Sequence, residues 1–111
     1  PNSVSSQAPP ADQRHHIPPL TFTGPPTAAW ERLKAAIAAM DRSRIIVEED
    51  TYLRAEYRSA VVGFVDDLEA HLEAEQGQIQ LKSASRVGYY DWGVNRDRVE
   101  ALRRRFQGEV L

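Results

Sequence analysis

Cysteine is absent from the 111 residues, which removes disulfides, thiolate nucleophiles and thiolate metal sites together and leaves the redox compartment open. Long apolar runs are absent as well. None approaches the roughly 20 residues a spanning helix needs, because charge breaks the longest apolar patches within a turn, so no transmembrane segment is expected. An excess of one charge is the third absence. With 14 lysines and arginines against 16 aspartates and glutamates the net charge is −2, so no whole-molecule field favours nucleic acid or an anionic membrane, and any electrostatic function has to be local. The chain opens on Pro1 in place of methionine, and a preceding signal or anchor segment is the expectation.

What is present is enough for one hydrophobic core. Residues 1–19 hold most of the prolines and many small polar residues, and they read as an extended leader without helix or strand of its own. Residues 20–111 read as a single domain. Leu20 to Thr23 alternates apolar and polar and stops at Gly24-Pro25-Pro26, as a short edge strand would. A helix follows with Thr27 as its cap, and Trp30, Leu33, Ile37 and Met40 form one apolar stripe at steps of three and four.

Residues 44–50 and 51–58 read as two strands joined near Glu49 and Asp50, with Leu53, Ala55 and Tyr57 facing the core and Tyr52, Arg54, Glu56 and Arg58 facing away. Residues 64–72 fit either period, and the clean alternation of residues 78–86 supplies a partner that favours strand. A hairpin closed around Gly77 pairs Leu72 with Ile79, Ala70 with Leu81, Leu68 with Ser83, Asp66 with Ser85 and Glu69 with Lys82. Residues 87–93 read as a turn-rich connection. Asn95 or Asp91 then caps a last helix whose stripe is Val94, Val99, Leu102 and Phe106, with Arg103 to Arg105 at the end where cations suit the dipole. The order β-α-β-β-β-β-α predicts an α+β fold in two layers, a mainly antiparallel sheet of about five strands with both helices on one face.

The strings SASRVGYYDWGVNRDRVE at 83–100, FVDDLE at 64–69 and PNSVSSQ at 1–7, in that spacing and order, resemble domain-of-unknown-function family 1499. The resemblance spans nearly the whole chain and carries no activity with it. Positions that match the family's pattern are Asn2, Ser5, Ser6, Asp66, Asp67, Glu69, Ser83, Ser85, Arg86, Gly88, Asp91, Gly93, Asn95, Arg96 and Arg98. Many relatives resemble exported or lipid-anchored proteins with cysteine where this chain has Ser3, so the resemblance implies periplasm or cell envelope, with cytoplasm still open.

The candidate binding cluster is thus Asp66, Asp67, Glu69, Ser83, Ser85, Arg86, Asp91, Asn95, Arg96 and Arg98. Arg86, Arg96 or Arg98 beside the start of the last helix would suit a small anion or carboxylate. Asp67, Glu69 and His71 alternate on one strand face, where a metal could bridge two of them, yet a metal normally wants three or four converging ligands. Asp66 and Asp67 point to opposite faces and cannot share a substrate without a bulge. Ser5, Ser6, Ser83 and Ser85 lack a spaced histidine or a GxSxG elbow. The last helix carries five arginines against Asp97 and Glu100, but Tyr89, Tyr90 and Trp92 form no recognised stacking pattern, so nucleic acid is not the expected partner. The expectation is a non-catalytic binding or interaction domain of the bacterial envelope, with no catalytic residue, metal or cofactor assigned and a small anionic ligand or envelope protein as partner. The alternative is a hydrolase or metal-dependent enzyme working from the Asp67, Glu69 and His71 face.

Overall fold

The computed structural model describes residues 3–60, 64–86 and 93–108. It is an α+β fold of two layers: an open six-stranded antiparallel sheet with two helices against one face. The strands are β1 (Ser3–Ser5), β2 (Leu20–Thr21), β3 (Ser43–Glu48), β4 (Tyr52–Arg58), β5 (Val65–Glu73) and β6 (Gln78–Ser85). The helices are α1 (Pro26–Ala38), between β2 and β3, and α2 (Val94–Phe106), after β6. Their order across the sheet is β1-β6-β5-β4-β3, with β2 also on β6.

Period-two patterning sets the registers. On β4 the buried residues are Leu53, Ala55 and Tyr57, and on β5 they are Asp66, Leu68 and Ala70. A one-residue slip would turn either set to solvent. The β5–β6 hairpin pairs Leu72 with Ile79, Ala70 with Leu81, Leu68 with Ser83 and Asp66 with Ser85, the register its alternation predicts. Gly77 adopts φ +64° in the closing turn, a conformation that favours glycine, and a Cβ there would crowd the Phe22 carbonyl oxygen at 3.2 Å. α1 buries Ala29, Trp30, Leu33, Ala36 and Ile37, while Met40 packs at the margin.

Four local readings are corrected. The leader does contain strand: β1 pairs with β6 through Val4 opposite Ser83, and Val4 and Ile17 are core residues. Sequence patterning cannot show this, because a three-residue strand among prolines carries one apolar side chain and is held by the β6 edge. Thr27 is not the cap of α1. Pro25 occupies that position without a side-chain bond, and Pro26 begins the helix, where its missing N–H is harmless. Gly93, at φ +81°, caps α2, so Asn95 lies inside the helix and is fully buried. Val94 is 44% exposed and leaves the predicted stripe. The predicted connection over residues 87–92 lies outside the described residues.

The leader is fastened by α2. Arg96 donates to the carbonyls of Gln13, Arg14 and His16 at 3.1–3.3 Å, and Arg103 to those of Pro18 and Pro19 at 2.6 and 2.9 Å. Carbonyls left without a ladder are satisfied by guanidinium donors, which accounts for two of the helix's arginines.

Candidate functional site

The sheet divides the candidate residues into two groups. Asp67, Glu69 and Arg86 lie on the face that carries no helix, and Asp66, Ser83, Ser85, Asn95 and Arg98 lie between sheet and helix. Arg96 belongs to the leader clasp. Asp91, with Asn2 and Gly88 of the family pattern, lies outside the described residues.

On the open face Arg86 grips Asp67 with two donors, Nε at 2.8 Å and Nη2 at 2.9 Å, and also pairs with Glu56. Arg54 Nη1 reaches the same aspartate at 3.1 Å. Donation from Arg86 holds the Asp67 and Glu56 carboxyls below their ordinary pKa values, and those two carboxylates in turn raise that of Arg86. Tyr52 donates to Glu69 at 2.8 Å and its ring stands 4.8 Å from that of His71. The row of Asp67, Glu69 and His71 is therefore engaged laterally with Tyr52 and Arg54 of β4 and with Arg86 just after β6. Among the described residues no three histidine, aspartate or glutamate side chains are grouped to hold a metal ion.

Between the layers the polar residues form one connected network. Ser83 donates to Asn95 Oδ1 at 2.7 Å, Asn95 Nδ2 donates to Ser85 Oγ at 3.0 Å, and Arg98 Nη1 donates to Asp66 Oδ2 at 2.6 Å and to Asn95 Oδ1 at 3.2 Å. The Arg98 guanidinium also lies 4.7 Å above the Tyr57 ring. Burying Asp66 and Asn95 costs solvation that these bonds return, and no buried side-chain nitrogen or oxygen among the described residues is left unpaired. This network clasps α2 to the β5–β6 hairpin.

The network has one open end. Arg98 and Tyr57 line a cleft of about 390 Å³ between the α1–β3 turn, the end of β4 and the outer flank of α2. Arg42, Arg58 and Arg105 line it too, and Asp41 is the one carboxylate in its wall among the described residues. Arg98 is neutralised by Asp66, and Arg58 leans to Glu56 at 3.5 Å, whereas Arg42 and Arg105 face no carboxylate within ion-pair distance among the described residues. Arg42 is the one non-glycine among the described residues at positive φ, +57°, and its Nε holds the Arg58 carbonyl at 3.1 Å. Burial raises the Tyr57 hydroxyl above its ordinary pKa, against the pull of Arg98 and Arg105, so it stays a proton donor. Its acceptor is the Met40 sulfur at 3.3 Å.

Of these cleft residues the sequence-based cluster contains Arg98 and leaves out Arg42, Arg58, Arg105 and Tyr57. They come from three segments scattered along the chain, and the only available signal was the run of arginines at the end of α2. A second cleft, about 590 Å³, lies at the other end of α1 over Trp30 and Leu72. Its rim includes Glu48 and Glu31, which Lys34 bridges at 3.1 and 2.8 Å.

Fold and clefts together define a small two-layer α+β domain whose open sheet face carries the ion pairs of Asp67 with Arg86 and Arg54, and whose cleft beside α2 brings four arginines together. The chain belongs to the family described as protein of unknown function, DUF1499, whose pattern matches residues 1–106. No curated protein and no solved structure matches it. No helix among the described residues is long and apolar enough to cross a membrane.

Proposed function

We propose that this chain is a non-catalytic binding domain of the bacterial envelope and that the cleft beside Tyr57 and Arg98 receives a small anionic ligand. The observation that carries the reading is the convergence of four arginines on one cleft whose wall has a single carboxylate among the described residues. A guanidinium is always charged and presents a fixed fork of donors, so several of them around a concave site favour an anion. The envelope setting is supported by the family resemblance, in which many relatives resemble exported or lipid-anchored proteins.

The enzyme alternative would need the Asp67, Glu69 and His71 face, where Asp67 is already bound by two arginines and Glu69 by Tyr52. Thermal melting separates the two. At constant ionic strength, multivalent anions should raise the melting temperature relative to chloride, and Arg105→Glu should abolish the rise while Arg104→Glu keeps it. An equal rise in both variants, or none in the parent, refutes the cleft. A large specific shift with Zn²⁺ or Mn²⁺ that Asp67→Ala removes would favour the enzyme reading instead.

A further inference from the structure

Resting on that anion-binding reading, we infer that the cleft is built for a phosphate group carried on a partly apolar body. A carboxylate offers two oxygens in one plane, and a single guanidinium fork can engage both, as Arg86 does at Asp67, where Arg54 adds a third contact. The cleft's arginines arrive from three segments: Arg42 from the α1–β3 turn, Arg58 from the end of β4, and Arg98 and Arg105 from positions two turns apart on α2. Donors spread around a centre suit a tetrahedral group with several terminal oxygens. A phosphate monoester, carrying close to two charges at neutral pH, also balances the two arginines that have no carboxylate partner among the described residues.

Two further observations point to the same occupant. Tyr57 is a buried phenol whose proton goes to a thioether, a weak acceptor, although it lines a cleft where an oxygen would be a far better one. Arg42 holds a left-handed backbone conformation that glycine would adopt without strain, which is a standing cost for keeping a guanidinium at that place. The rest of the wall includes Met40 and the exposed Val94, apolar surface against which the body of an ester can lie.

The same chemistry is offered by a soluble phosphomonoester and by a phospholipid headgroup, and titration distinguishes them. Calorimetry with glycerol 3-phosphate, inorganic phosphate and succinate is run on the parent and on Arg42→Gly, Arg105→Ala and Tyr57→Phe, alongside sedimentation with phosphatidylcholine vesicles with and without phosphatidic acid. Glycerol 3-phosphate should bind saturably, more tightly than succinate, and weaken about tenfold in Arg42→Gly and in Arg105→Ala and about threefold in Tyr57→Phe. Arg42→Gly should melt within about 3 °C of the parent, since glycine relieves the backbone, so its weaker binding cannot be ascribed to unfolding. Sedimentation with phosphatidic acid vesicles that Arg105→Ala abolishes supports the phosphate and names a headgroup as its source. Binding of glycerol 3-phosphate without sedimentation supports it and names a soluble ester. Succinate binding as tightly as the phosphates overturns the phosphate and leaves the anion-binding reading standing. No saturable binding by any of the three, or binding unchanged in both arginine variants, overturns both.

Discussion

Asp66→Ala removes the carboxylate that neutralises the most deeply placed arginine of the cleft. Asp66 is 6% exposed, the Arg98 side chain is 11% exposed, and they meet at 2.6 Å. Deleting one partner of a buried pair leaves a charge stripped of both water and counter-ion, which generally costs about 3–5 kcal/mol. Arg98 keeps Asn95 Oδ1 at 3.2 Å and the Tyr57 ring at 4.7 Å, and it borders the cleft, from which water can reach it, so the lower end applies: about 3 kcal/mol. Asp67 is the control on the same strand. Its side chain is 27% exposed on the other face, and despite three arginine contacts Asp67→Ala should cost about 1 kcal/mol or less. Urea denaturation followed by circular dichroism measures both. Adding Arg98→Met to Asp66→Ala should recover part of the loss, because no orphaned charge then remains. If Asp66→Ala unfolds within about 0.5 kcal/mol of the parent, it does not clasp α2 to the hairpin, and its carboxylate becomes a candidate for direct ligand contact.

Three further outcomes are expected. Ile17→Ala should cost about 2–4 kcal/mol in the same assay, since Ile17 is fully buried, and a loss near zero would mean that the leader is not part of the core. Asn95→Ala should cost about 2 kcal/mol by stranding the Ser83 hydroxyl between the layers, whereas an N-terminal cap in that role would be partly replaced by water. Arg86 lowers the Asp67 pKa, so the stabilisation linked to Asp67 is complete above its unfolded value and is lost as pH falls through the lowered folded one. Stability of the parent should accordingly fall more steeply below about pH 4 than that of Asp67→Asn, and parallel acid-unfolding curves would refute the linkage.

The long hairpin was legible because its two strands alternate over eight or more residues, and an apolar, polar and charged set of cross-strand pairs fits in one register only. The helix α1 was legible from Trp30, Leu33 and Ile37, since the odd step from Trp30 to Leu33 would put them on opposite faces of a strand, whereas a helix holds all three on one side. The leader was not. Its place in the sheet depends on two things that patterning does not carry: a free edge on β6, and arginines 80 or more residues away that bond the carbonyls of residues 13–19. Asn95 misled for a related reason. An asparagine near a helix start is ordinarily a cap, and only the positive φ of Gly93 two residues earlier moves the helix start upstream and turns Asn95 inward.

The candidate cluster is divided between the two sides of the sheet. Alternation already separates Asp66 from Asp67, and with them the buried clasp from the open-face ion pairs, so residues adjacent in sequence serve opposite sides of the sheet. What draws Arg98 toward a binding role is its neighbours in space: Arg105 two turns along α2, Arg58 at the end of β4, and Arg42 in a turn whose backbone glycine would suit better. Family-pattern residues make the clasp, and the clasp fixes where the floor of the cleft stands. On the proposed binding reading, ligand specificity falls to Arg42, Arg58 and Arg105, exposed positions outside both the apolar stripes and the motif strings, which is why neither pointed to them.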